Sequence, residues 1–180
     1  MESHCTHAKL PPMQRRTLFK LGVASAAVLV LAGGAASMFR PGLDGSALTP
    51  AGREVFAAVG AAVLDKTLPA EAAARSAAVK ALLDRIDVLI AALPEHAQGE
   101  LSQLLSLLAS SAGRVALARL DAPWRTAGIE EVQQALQGMR VSSLALRQQA
   151  YAALHDISAG AWFADPSSWP LLGYPGPMNI

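Results

Sequence analysis

The residues best equipped for chemistry are few. His4, Cys5 and His7 put three potential metal ligands within four positions, the side chains that zinc prefers. No second ligand cluster follows them in the sequence, and they precede a strongly apolar run, so a solvated tail accounts for them as well. His96 and His155 are the other histidines. Neither belongs to an H-E-x-x-H pattern, and no G-x-S-x-G nucleophile elbow occurs. His155 follows Tyr151 by four residues, the spacing of a pair on one helix face. His155 and Asp156, being adjacent, are expected to face apart. The carboxylate pairs Glu130–Glu131 and Asp84/Asp87 lack the Glu-x-x-His companion of a di-iron bundle and read as polar helix surface. The single cysteine excludes an internal disulfide, a C-x-x-C redox pair and a C-x-x-C-H haem attachment. The expectation is a chain with no catalytic residue, metal site or cofactor of its own.

The balance of 15 basic and 14 acidic residues, with 52% hydrophobic residues, argues against a disordered chain. The scattered Lys and Arg form no basic stripe, so no nucleic-acid partner is expected. Their one concentration is near the N-terminus, where Lys9, Arg15, Arg16, Lys20 and Arg40 face only Glu2. Gln14-Arg15-Arg16-Thr17-Leu18-Phe19-Lys20 looks like the twin-arginine export motif. Gln14 stands where Ser or Thr is usual, and Leu18-Phe19 is in reversed order. The uncharged stretch 21–39 follows, rich in Ala and Gly. Residues 1–40 are therefore set aside as an address for the twin-arginine translocase, with the periplasm as destination. The run also has roughly the 20 residues of a membrane span. Basic residues before it would hold the N-terminus in the cytoplasm, so cleaved leader and uncleaved inner-membrane anchor both stay open.

Residues 41–48, with Pro41, Gly42, Gly45 and Ser46, read as a linker. From Pro41 onward 10 basic residues meet 13 acidic ones, a mild negative excess that favours solubility. Residues 49–160 read as an irregular all-α bundle. Thr49-Pro50 opens a helix that Pro69 ends. Val79, Leu82, Leu83, Ile86 and Ile90 form the stripe of a second helix, from Glu71 to Leu93. A third spans Gln98 to Ser111. Val115, Leu117 and Leu120 suggest a short fourth segment, Ile129 to Met139 a further helix, and Ser142 or Ser143 to Gly160 the last. No stretch alternates with period two over strand length, so no sheet is expected.

Residues 161–180 change character. Trp162, Phe163, Trp169 and Tyr174 are spread among four prolines. Proline resists the helix interior, so an extended course is expected. Aromatic side chains on a stiff backbone suit an interface; a tail wrapped over its own helices is the other reading.

The run W-F-x-x-P-x-x-W-x-x-L-G-Y-P-G-P, after a helix bearing Arg147, Tyr151 and Leu154, resembles the gluconate 2-dehydrogenase subunit 3 family. Leu68-Pro69 and the twin-arginine leader are similar to that family too. The resemblance covers roughly Thr49 to Pro177, and its specific part is Trp169 with Leu172-Gly173-Tyr174-Pro175-Gly176-Pro177. It implies a small non-catalytic subunit that escorts, stabilises and anchors a large FAD-dependent oxidoreductase of the glucose–methanol–choline type, acting on an alcohol or sugar. It places the FAD in that partner, and in some related complexes a separate cytochrome c joins. On this reading Arg15, Arg16, Leu18, Phe19 and Lys20 serve targeting. Trp162, Phe163, Trp169, Leu172, Gly173, Tyr174, Pro175, Gly176 and Pro177 serve partner binding. A freestanding, membrane-anchored helical protein with a structural or ligand-binding role is the alternative.

Overall fold

The computed structural model describes residues 41–176. The twin-arginine segment, the apolar run 21–39 and Pro177 lie outside them. Five α-helices carry the fold: α1 Pro50–Val63, α2 Ala72–Ala91, α3 Glu95–Ala109, α4 Ile129–Arg140 and α5 Ala145–Phe163. The all-α expectation holds for these residues. Among them, no single helix is long and apolar enough to cross a membrane.

Helix α1 lies at the centre, packed against α2, α3, α4 and α5. Its start follows from local chemistry. The Thr49 hydroxyl accepts the Gly52 N–H at 3.3 Å, and Pro50 takes the first turn, where no N–H is needed. Val55, Phe56 and Val59 recur at helical spacing and are fully buried. On α2, Leu82, Leu83, Ile86 and Ile90 are buried as their spacing predicts, each contributing about 2 kcal/mol through removal from water. Gly60 lets α1 and α2 approach: a Cβ there would lie 2.5 Å from a Leu82 methyl group.

Helix α1 stops at Val63, well before Pro69. The Thr67 hydroxyl and the Leu68 N–H both bind the Leu64 carbonyl, closing a turn that buries Leu68. Glu71 is the cap of α2. Its carboxylate accepts the Ala73 and Ala74 N–H groups at 2.9 and 2.6 Å, which hold its pKa below the ordinary value. Pro94, expected to close α2, is the N-terminal cap of α3, whose first residue Glu95 lies three positions before the expected Gln98.

Residues 41–48 are no free linker. Leu43–Asp44 and Ala47–Leu48 pair antiparallel as β1 and β2, with Gly45 at φ 59° in the turn between them. The Gly42 N–H reaches the Ser102 carbonyl, the Leu43 N–H the Ser102 hydroxyl at 3.1 Å, and the Leu48 N–H the Asp87 carboxylate at 2.8 Å. Strands of two residues carry no readable alternation, and their anchors are supplied by α2 and α3.

After α3 the chain bends by 89°. One turn, Ser111–Gly113, leads into a π-helical turn, Arg114–Ala118, that ends on Arg119 at φ 54°. This is the expected fourth segment, but of the three residues that suggested it Leu117 and Leu120 are buried and Val115 is exposed. A wide π-turn leaves carbonyls without regular partners. Two buried arginines serve this stretch, one on a carbonyl of the turn itself and the other on the two carbonyls after Arg119. Arg114 donates from Nε to the Leu120 carbonyl and from Nη2 to that of Asp121. Arg147 of α5 donates from Nε to the Leu117 carbonyl at 2.6 Å.

Candidate functional site

The C-terminal corner is built on the end of α5. Asp165 caps a 3-10 helix, Pro166–Leu172, by accepting the Ser167 N–H at 2.9 Å. Its carbonyl accepts the Ser168 hydroxyl at 2.7 Å. Residues 161–172 therefore do not run extended, as had been expected of the whole segment 161–180. Ala161 to Phe163 complete α5, and the next turn is helical of the tighter kind. The reason lies in what proline forbids. Its φ near −65° matches a 3-10 helix, and Pro166 takes the first position, where its missing N–H costs nothing. Gly173 ends the turn at φ 67°, a conformation that favours glycine.

The aromatic residues divide into two groups. Trp169 and Tyr174 meet edge to face, with ring centroids 5.4 Å apart. The Trp169 indole N–H donates to the Phe163 carbonyl at 2.9 Å, holding the ring over the end of α5. Gly176, at φ 100°, passes so close to this ring that a Cβ would lie 3.4 Å from Trp169 Cζ3. Trp169 and Phe163 are half-buried, while Tyr174 and Pro175 are exposed. Leu172 closes the 3-10 turn just before Gly173. These residues form a partly open aromatic corner.

Trp162 belongs elsewhere. It is 8% exposed, and the Arg85 guanidinium of α2 lies over its ring at 5.3 Å. Such a cation–ring contact is attractive. Arg85 also donates from Nη1 to Asp165 at 2.6 Å, tying the C-terminal turn to a helix 80 residues earlier. The Ser167 backbone N–H and hydroxyl, aided by the Arg85 charge, hold the Asp165 carboxyl below its ordinary pKa. Arg85, Trp162, Asp165, Ser167 and Ser168, with Ala78 and Ala81 of α2, line a pocket of about 200 Å³. Two N–H donors of these residues, Arg85 Nε and Trp162 Nε1, are buried without an acceptor.

The other candidates for chemistry have structural roles. Asp87 and Asp84 bind Arg53 of α1, and Asp84 also meets Lys80 at 3.0 Å. The sequence had suggested only a solvated face. Glu131 accepts the Gly128 N–H at the start of α4. His155 stacks on Tyr151 as their spacing suggests, with centroids 5.4 Å apart. Contrary to expectation, His155 Nδ1 also reaches Asp156 Oδ1, at 2.9 Å, on the exposed face of α5. A wider groove of about 660 Å³ runs along α4 past Gln133, Gln134 and Gln137. No cluster of three or more metal-ligating side chains occurs among the described residues.

Sequence reasoning missed Arg85 and Asp165 altogether. They lie 80 positions apart, and each resembles an ordinary surface charge. Asp165 before Pro166 was the one available signal, since Asp followed by Pro is a turn-opening pair. Compared with models of protein families, with curated proteins and with solved structures, the chain matches none.

Proposed function

We propose that this chain is a non-catalytic accessory subunit, exported by the twin-arginine route, that escorts and stabilises a periplasmic FAD-dependent oxidoreductase of the glucose–methanol–choline type. The observation that carries the reading is the aromatic corner. A rigid helical body presents Tyr174, 47% exposed, braced against Trp169, beside the exposed Pro175. Aromatic anchors held on a rigid frame bind with little loss of side-chain freedom, the property that makes Trp and Tyr dominate interfaces. The leader motif at Arg15 and Arg16 and the resemblance of Trp169 to Pro177 supply the kind of partner. The partner carries the FAD and oxidises the alcohol or sugar. The small subunit supplies the export signal and a docking face, and the stretch 21–39 supplies an inner-membrane anchor if it stays uncut.

The test is a pull-down of tagged chain from native periplasm and membrane, with a flavin absorption spectrum and the intact mass of each band. A yellow, near-stoichiometric large partner is expected from cells with the natural leader. With Lys at both Arg15 and Arg16, chain and partner should remain in the cytoplasm. A colourless lone protein would overturn the accessory-subunit reading in favour of a freestanding anchored helical module. Correct export of the double-Lys variant would remove the twin-arginine route.

A further inference from the structure

Among the described residues six large apolar side chains are exposed, and four of them share one corner of the fold. Val141, Leu144 and Leu146 occupy the turn from α4 into α5, where residues 143–146 are all exposed. Val141 is 66% exposed and Leu144 62%. Val115, also exposed, lies in the π-helical turn. Arg147 joins the two segments, donating from Nε to the Leu117 carbonyl and from Nη1 to the Ser142 hydroxyl. Apolar residues exposed singly are ordinary on a protein surface, whereas a group of them marks a site of interaction.

The charges in these segments have one sign. No Asp or Glu occurs from Leu101 to Leu120 or from Val132 to His155, although acidic residues outnumber basic ones from Pro41 onward. From the rise per helical residue, Glu131 lies about 14 Å along α4 from Arg140, and Asp156 about 15 Å along α5 from Leu146. Arg119 and Arg140 are exposed. Arg53, Arg75 and Arg85 each pair with a carboxylate, whereas Arg119 and Arg140 form no ion pair among the described residues. Asp121 and Arg125, just past the first stretch, are both exposed and cancel in charge.

Aliphatic side chains flanked by unpaired guanidinium groups complement a surface that is anionic outside and apolar beneath. A protein partner would call for aromatic anchors, and residues 141–146 contain none. We propose that the α4–α5 turn and the adjoining π-turn form a lipid-contacting face. Val141, Leu144 and Leu146 enter the apolar edge of an anionic phospholipid bilayer, and Arg119 and Arg140 meet its phosphates. Binding of this kind strengthens with buried apolar area and with the content of anionic lipid. The inference takes from the accessory-subunit reading only the nearness of a membrane and does not depend on the flavoprotein.

The test reads lipid contact position by position. The full chain with Cys5→Ser carries one new cysteine, Leu144→Cys or, as a control, Val88→Cys, an exposed site on α2 beside Asp87. Each is labelled with an environment-sensitive fluorophore and reconstituted in vesicles of phosphatidylcholine, alone or mixed with phosphatidylglycerol. A spin-labelled phosphatidylcholine serves as quencher. The label at 144 should shift to the blue and be quenched in the mixed vesicles, and much less in phosphatidylcholine alone. The label at 88 should do neither. Arg119→Gln with Arg140→Gln should lower lipid contact at 144 by about fivefold for each charge removed, with thermal unfolding close to that of the natural chain. Equal quenching at 144 and 88, indifference to phosphatidylglycerol, or full quenching in the double-Gln chain would each overturn the proposal. A label at 144 that responds to an added flavoprotein and not to lipid would overturn it in favour of a protein contact. The vesicles contain no flavoprotein, so a failed pull-down leaves this result standing, and a turn that does not meet lipid leaves the accessory-subunit reading standing.

Discussion

Two arginines of this molecule, one buried and one half-buried, have unlike surroundings. Arg147 is 5% exposed. It donates to the Leu117 carbonyl and, at 3.4 Å, to the Ser142 hydroxyl, and it forms no ion pair among the described residues. Arg85 meets a carboxylate, covers an indole ring and borders a cavity. The first arrangement replaces regular helical hydrogen bonds in the π-turn 114–118 with donors from a neighbouring helix. The second holds two segments together at the edge of a pocket, while each arginine keeps one buried N–H group without an acceptor, Nη2 in Arg147 and Nε in Arg85. A guanidinium turned on backbone carbonyls stabilises an irregular chain path, whereas one paired with a carboxylate joins segments distant in sequence.

The largest expected effect tests the first half of that contrast. Arg147→Ala leaves the buried Leu117 carbonyl without its donor and should cost about 2–3 kcal/mol in urea unfolding. Arg147→Met, which refills the space without a charge, should recover part of the loss, since buried charges carry a desolvation cost. Arg85→Ala should shift the unfolding midpoint distinctly less than Arg147→Ala, because its main partner is a partly exposed carboxylate and such pairs contribute little to stability. Equal midpoints for the two Ala variants would erase the distinction between the two arginines.

Binding should invert the order. Trp169→Ala removes the edge-to-face brace of Tyr174 and the bond to the Phe163 carbonyl. It should weaken recovery of the partner about tenfold or more, the scale of a central aromatic anchor. Tyr174→Ala should have a smaller effect, and Tyr174→Phe, which keeps the ring, a smaller one still. Arg147→Met, measured where the chain remains folded, should leave partner recovery unchanged. Unaltered co-purification of the Trp169 and Tyr174 variants together would take the corner out of the interface.

The helices were legible in the sequence because apolar residues at period 3.6 leave a repeating record. Leu82, Ile86 and Ile90 illustrate it, and all three are fully buried. Caps were legible where one residue type suffices, as at Thr49. What could not be read depends on partners distant in sequence. The hairpin 43–48 is held by Ser102 and Asp87, and Asp165 is joined to Arg85. No local pattern records such pairings. The C-terminal turn was misjudged for a different reason: exclusion of proline from α-helix interiors was extended to a 3-10 turn, which it does not govern. Trp169 and Tyr174 were visible as an aromatic cluster, but the separation of Trp162 into another environment was not. On one helix, adjacent residues such as Trp162 and Phe163 point about 100° apart. The two buried arginines left no signal, since Arg114 and Arg147 look like any other helical charge.

Acid gives the smallest effect and the one most specific to the comparison. Asp165 has its pKa lowered from 3.8 by the Ser167 N–H and hydroxyl and by Arg85. A carboxylate with a depressed folded-state pKa stabilises the fold fully above the unfolded value, and this contribution is lost as pH falls through the folded one. Asp165→Asn keeps the shape and an oxygen for the Ser167 N–H but has no charge to lose. The variant should therefore melt slightly below the natural chain at neutral pH, and the gap should close below about pH 4. Glu71 and Asp84 are also depressed, by the Ala73 and Ala74 N–H groups and by Lys80 respectively. Both chains will thus lose stability in acid, and only the difference between their melting temperatures isolates Asp165. The Arg147→Ala penalty should stay level over the same range, because its acceptors, a carbonyl and a hydroxyl, do not titrate there. A penalty at Arg147 that fades in acid would reveal a carboxylate partner and make the two arginines alike. A gap at Asp165 that persists in acid would show that the C-terminal turn is held by its hydrogen-bonded shape rather than by the charge it shares with Arg85.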